Sequence, residues 1–149
     1  VAGPIVIERQ DTILTVTVFR DYNDQEHVAH LAELSAIIAQ GKVGQVHRWV
    51  VVHDLKVPMQ PNAKHRSRQA EWMKAHQPEL RYRTAGIGFV MSSALMRGGL
   101  TAILWLAPLP CPHGIFSTMP EAMLWARERS RLPVDASVYP GAIRAARGA

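Results

Sequence analysis

The sequence predicts a single α/β domain. Its mixed β-sheet opens with an antiparallel hairpin and continues in β-α units, with helices packed on the sheet. Three observations predict this. Trp49-Val50-Val51-Val52 is a run of four apolar residues, three of them β-branched, as expected of a strand buried on both faces. Thr84 to Met91 is a second buried-strand pattern, interrupted by Gly86 and Gly88 where another group approaches the backbone closely. Segments with apolar residues at helical spacing separate and follow these runs, which gives parallel strands joined by crossover helices.

Taken in order, Ile5-Val6-Ile7-Glu8 and Ile13 to Phe19 are β-rich runs separated by Arg9-Gln10-Asp11-Thr12, which reads as a hairpin with a short turn. Asp21-Tyr22-Asn23-Asp24 is a turn cluster able to cap a helix. From Gln25 to Gln40, Val28, Leu31, Leu34 and Ile38 recur at helical spacing, and Gly41 ends that helix. Val43 to Arg48 leads into the central strand, which ends at His53-Asp54-Leu55. After Pro58 and Pro61, a second helix spans about Asn62 to Gln77 and stops at Pro78. Ser92 or Ser93 caps a third helix with Met96, Leu100, Ile103 and Ala107 on one face. Gly98-Gly99 inside it calls for tight packing against the sheet or a break. Gly114 to Ser117 is a short strand. Thr118-Met119-Pro120-Glu121 is a capping box that opens a last helix with Ala122, Trp125 and Ala126 inward. The domain is thus expected over residues 1–132, with a basic tail over 133–149.

Composition sets the class of partner. Hydrophobic residues at 48% and charged residues at 19% describe a folded chain rather than a disordered one. The longest apolar stretch, Ala102 to Leu109, is too short to span a bilayer. A single cysteine, Cys111, excludes an internal disulfide and fits a reducing cytoplasm. The net charge of +5 is unevenly placed. Lys56, Lys64, Arg66, Arg68, Lys74, Arg81 and Arg83 stand against only Glu71 and Glu79. That basic stretch invites an acidic partner, a phosphate or a membrane surface, or is simply a solvated helix face.

The order of elements, together with Ser117-Thr118-Met119-Pro120-Glu121-Ala122 and Trp125 in the last helix, resembles STAS-like domains. These are the sulfate-transporter and anti-sigma-factor-antagonist group, and the likeness is to its bacterial branch related to CRAL-TRIO folds. Arg97-Gly98-Gly99-Leu100-Thr101-Ala102, Trp105, Pro108-Leu109-Pro110 and Phe116 resemble a set of small uncharacterised bacterial proteins of that branch. The resemblance covers about Ile5 to Leu132. It implies a small non-enzymatic module that binds another protein or a small ligand. Anti-sigma antagonists carry a phosphorylatable serine at the start of the second helix. Here Asp54-Leu55 matches the preceding strand end, but the helix start reads Asn62-Ala63-Lys64, and the nearest hydroxyl is Ser67.

Several residues are candidates for chemistry. The helix starts at Asn62 and at Ser92-Ser93 are expected side by side at the C-terminal strand ends, with Arg66 and Arg97 near, an arrangement suited to an anion. No G-x-x-x-x-G-K or G-x-G-x-x-G motif accompanies it, and caps alone account for these residues; Arg97 is equally suited to binding carbonyls. His53 and Asp54 are adjacent, so they point to opposite sheet faces, and they read as a strand-end partner and a loop cap rather than as an acid–base pair. His27 and His30 read as a surface pair, and no metal motif is present. Cys111 reads as a small apolar filler. Trp105 and Trp125 read as core, while Trp72 in the basic helix is either core or an interface anchor. The expectation is a non-enzymatic, cytoplasmic interaction or regulatory module that binds an acidic protein surface through the second helix and the Asp54–Asn62 loop. Asp54, Asn62, Arg66, Arg68, Trp72, Ser92, Ser93 and Arg97 are the candidate binding residues. The alternative is a binder of a small anionic or lipid-like ligand between the second and third helices. No cofactor, metal or nucleic acid is expected, and a homodimer through the third helix or the hairpin edge stays open.

Overall fold

The computed structural model describes residues 3–39, 48–57, 63–106 and 108–131, without the side chains of 82, 103 and 106. Gly41, most of the Val43–Arg48 connection, Asn62 and the tail over 133–149 lie outside the described residues.

The chain runs β1 (Ile5–Gln10), β2 (Ile13–Val18), α1 (Asp24–Ala39), β3 (Trp49–Leu55), α2 (Ala63–Ala75), α3 (Gln77–Arg83), β4 (Thr84–Val90), α4 (Ala94–Leu106), β5 (His113–Phe116) and α5 (Met119–Arg131). The five strands lie in sequence order, β1 antiparallel to β2 and the others parallel. The hairpin turns at Asp11, whose φ of 54° is a left-handed conformation that aspartate tolerates better than most residues. Side-chain alternation gives the central strand two inner faces. Trp49 and Val51 look toward α1 and α3, while Val50 and Val52 look toward α5. All four are buried, and each fully buried valine contributes roughly 1.5–3 kcal/mol relative to an exposed one.

On one face Leu34 and Ile38 of α1 and Leu80 of α3 close over Leu14, Val16, Val51 and Ile87, with Trp72 and Met73 of α2 at the margin. On the other face, among the described residues, α5 packs alone, setting Ala122 and Ala126 against Ile13, Val50, Val52 and Ala85. The glycines of β4 admit Trp125. A Cβ on Gly86 would stand 2.8 Å from its Cη2, and one on Gly88 would stand 3.2 Å from its Cζ3. The close approach that the two glycines foretold is that of this indole.

Three expectations are corrected. Pro78 does not stop the second helix. The helix ends at Ala75, His76 makes a one-residue break, and α3 starts at Gln77 with Pro78 in its first turn, where the missing N–H costs nothing. Gly98 and Gly99 neither pack tightly nor break α4: the helix is continuous, and a Cβ on either would meet open space. Trp105 is not core but 85% exposed, since at about 100° per residue it lies opposite the half-buried Met96 and beside the buried Leu104.

Gly86→Ala is expected to destabilise the domain by about 1–3 kcal/mol, because the rigid indole of Trp125 has to move. Gly98→Ala, in open space on a helix, is expected to stabilise by up to about 1 kcal/mol. Urea denaturation of the two variants checks both signs.

Candidate functional site

The C-terminal ends of the parallel strands and the start of α1 meet under α2, and the polar side chains collect there. Asn23 starts α1 with a reciprocal cap: its Oδ1 accepts the N–H of Glu26 (2.8 Å), and Glu26 Oε1 accepts the N–H of Asn23 (3.0 Å). The Asn23 N–H and then Arg20 hold the Glu26 carboxyl below its usual range, against a smaller effect of desolvation. The cap fixes the first turn of α1, which carries Asp24 and His27. The buried stripe of this helix is His27, Leu31, Leu34 and Ile38. His27 is 1% exposed whereas Val28 is 53% exposed, which corrects both the surface reading of His27 and the choice of Val28 as a core residue. Spacings of four, three and four hold the first set on one helix face, while Val28 falls about 100° away from His27.

Around His27 lies a seam of rings and charges. Its centroid is 5.2 Å from that of Tyr22 and 4.9 Å from that of His65, and Tyr22 and His65 stack at 5.0 Å. Arg68 Nη1 lies 3.0 Å from His27 Nδ1, and Gln69 Oε1 lies 3.3 Å from Nε2. A guanidinium only donates, so Nδ1 is the acceptor and Nε2 carries the proton: His27 is neutral and has a defined tautomer. Asp24 Oδ1 accepts from both Arg68 amino groups at 3.3 Å and lies 3.2 Å from His65 Nε2. Desolvation opposes ionisation of Asp24, but the hydrogen bond and charge of Arg68, with Lys64 and His65 behind it, outweigh this and hold its carboxyl below the usual range.

Deeper in the same face, His53 stacks on Phe89 at 5.3 Å, and His30 Nδ1 is buried with no hydrogen-bond partner among the described residues. Burial, then the charge of His30, pushes His53 down to about 4. Burial, then the charge of His27, pushes His30 down to about 4. His27 is lowered by burial first, partly offset by Gln69, with the charges of His65 and Arg68 adding. Among the described residues no three His, Cys, Asp or Glu side chains are placed to hold a metal ion. Cys111 is buried within the α1 face of the core, and burial pushes its thiol up to about 12 against the lowering effect of Arg48 and Arg129.

The expected binding residues do not form one cluster. Asp54 is buried on the α5 side of β3, with Lys56 Nζ 3.0 Å away, so it faces away from His53. Arg66 is exposed on α2, and Arg68 is turned inward on Asp24 and His27. Trp72 is half-buried, donates its indole N–H to Ser35 Oγ (2.8 Å) and stacks on His76 at 4.7 Å. Ser93 Oγ caps α4 by accepting the N–H of Met96 (3.3 Å). Arg97 Nη1 donates to the carbonyls of Met91 (2.8 Å) and Ser92 (2.9 Å), the carbonyl role open to it from sequence. Sequence reasoning missed Tyr22, Asp24, His65 and Gln69, and it placed His27 and His53 outside any site. The signal for His27 was its place on the 27-31-34-38 stripe.

No family model matches the sequence, and no curated protein does. Solved structures do. An uncharacterised protein of the DUF3478 family from Shewanella loihica PV-4, described as having a SpoIIAA-like fold, superposes with a TM-score of 0.59 at 14% identity over 82% of this chain and 91% of its own. DspI of Pseudomonas aeruginosa gives a TM-score of 0.47 at 10% identity over 99% and 82%. The fold class is therefore defined: the chain has a SpoIIAA-like (STAS-like) α/β fold, a five-stranded mixed sheet with an N-terminal hairpin and parallel β-α units. Within that class the chain is similar to the uncharacterised bacterial DUF3478 protein, a likeness of fold. Among the described residues, no helix is long and apolar enough to cross a membrane.

Arg68→Glu is expected to lower the melting temperature, because it sets a carboxylate against Asp24. Arg66→Glu is expected to leave stability within about 0.5 kcal/mol, as is usual for an exposed site. Thermal denaturation of the pair separates the inward arginine from the outward one. A thiol reagent at about pH 8 is expected to modify Cys111 only as fast as the domain opens, since the buried thiol stays protonated.

Proposed function

We propose that this domain is a non-enzymatic interaction module that docks an acidic protein surface on the outward face of α2. The observation that carries the reading is the composition of that helix. None of its thirteen residues is buried, and it presents Lys64, Arg66 and Lys74 outward with Glu71 as its only acidic residue. An exposed cationic face steers an acidic partner and sets its register more than it adds raw affinity. Arg68 and Trp72, which face α1, serve to hold α2 in place, so the docking residues are Lys64, Arg66 and Lys74.

The alternative, a small anionic or lipid-like ligand between α2 and α4, draws less support. Arg97, the cation it needs at the mouth, is held on the carbonyls of Met91 and Ser92, and Ser93 is spent on the cap of α4. The experiment is affinity capture from a bacterial lysate with the natural sequence and with the triple variant Lys64→Glu, Arg66→Glu, Lys74→Glu. Circular dichroism shows whether the variant keeps its fold. The reading predicts an acidic protein that the natural sequence retains at about 0.1 M salt, releases at about 0.5 M as the charges are screened, and that the folded variant does not retain. Equal retention by both proteins overturns it.

A further inference from the structure

The first two turns of α2 are held to the domain by polar contacts, of which the one from Arg68 to His27 Nδ1 requires a neutral imidazole. His65, Arg68 and Gln69 are its contacts to α1, and all three converge on Asp24 and His27. Apolar anchorage begins further along, at Trp72 and Met73, which pack against the core. Trp72 is tied to Ser35 at the same point. Contacts of two kinds thus divide α2: a tethered second half and a first half resting on a histidine.

We propose that the α1–α2 seam is an acid-operated latch, which holds the first half of α2 on the domain while His27 is neutral and releases it when His27 takes up a proton. The geometry dictates the direction. Arg68 can only donate, so a proton on His27 Nδ1 sets donor against donor at 3.0 Å and ends that contact. The groups facing His27 are mostly cationic or become so on acidification: His65, Arg68 and the more distant Lys64 from α2, His30 from α1 itself, and His53 of β3 beyond His30. Tyr22 is neutral at these pH values. Asp24 is the carboxylate that acts on His27, and Arg68 already balances it; Asp21 acts on Tyr22. Protonated His65 gains from Asp24, at 3.2 Å, which opposes release; Asp24 also favours a charge on His27, but the charges of His65 and Arg68 disfavour it, and His30 Nδ1 has no hydrogen-bond partner among the described residues.

The burial of His27, His30 and His53 sets the window. In the latched state all three resist protonation, and in the released state His27, which α2 covers, returns toward its ordinary value near 6.5. The released state therefore binds more protons. The latch is fully closed above about pH 6.5 and weakens by up to about tenfold per pH unit as pH falls below it, until His27 is protonated in the latched state as well. This regulation concerns the helix proposed above as the docking surface, but it does not depend on that surface having a partner.

The test is residue-resolved amide hydrogen exchange by NMR on the whole chain at about pH 7.5 and pH 5, corrected for intrinsic rates. The latch predicts that protection over residues 63–70 falls about tenfold or more at the lower pH while β3 keeps its protection. It also predicts that His27→Gln, whose amide oxygen accepts from Arg68 at every pH, flattens the response. If that chain does not fold, His30→Gln carries the same prediction with a shallower pH slope. Unchanged protection over 63–70, loss of β3 protection at the same pH, or an undiminished acid response in a folded variant would each overturn the latch.

Discussion

The burial of β3 on both faces is the constraint on which the rest of this structure depends. A strand that presents Trp49 and Val51 to one side and Val50 and Val52 to the other needs two helical layers, and the chain supplies two unlike ones. The α5 layer is a single helix, with two alanines and the flat Trp125 laid against glycine-bearing strands. Because Gly86 and Gly88 leave room for the indole, one helix comes close enough to β3 and β4 to bury this face of them. The opposite layer is deeper at α1 and α3 than at α2, where the packing turns polar.

That change in packing turns a core boundary into a candidate functional region. The buried stripe of α1 begins with His27 rather than an aliphatic residue, so the corner where α1, β3 and α2 meet is lined with imidazoles instead of methyl groups. A neutral imidazole accepts from one neighbour and donates to another, which is how His27 satisfies Arg68 and Gln69 together. The arrangement leaves α2 well enough held to present Lys64, Arg66 and Lys74 outward, with Trp72 and Met73 only partly buried against the core. The resulting helix is exposed, cationic and attached by contacts that respond to protons, properties suited to a docking element more than to a structural one.

Much of the fold was legible because burial leaves an unambiguous trace in strands. Four apolar residues at Trp49–Val52 and the two glycines of β4 place the centre of the sheet, and the polar run Arg9–Thr12 places the hairpin, although β1 extends through Gln10. Helices were read less well wherever polarity stood in for position. Val28 looked like core because it is apolar, although His27 has the better spacing; Trp105 looked like core because it is large, although its angle on α4 turns it outward. Pro78 suggests a stop, but its missing N–H suits a helix start equally well. The site was less legible than the fold, since period-two alternation separates His53 from Asp54 but says nothing of which helix residue His53 will meet. Its neighbours come from Tyr22 to Phe89, and only packing brings them together.

The central claim is that a neutral, singly defined tautomer of His27 joins α1 to α2. The most direct measurement is a long-range nitrogen–proton correlation spectrum of the histidine side chains at neutral pH, with His27 assigned by comparison with His27→Gln. The account predicts a ring with its proton on Nε2 and a bare, hydrogen-bonded Nδ1. An imidazolium, a proton on Nδ1, or rapid averaging between the two tautomers would contradict it, because Arg68 would then have no acceptor on α1 beyond Asp24.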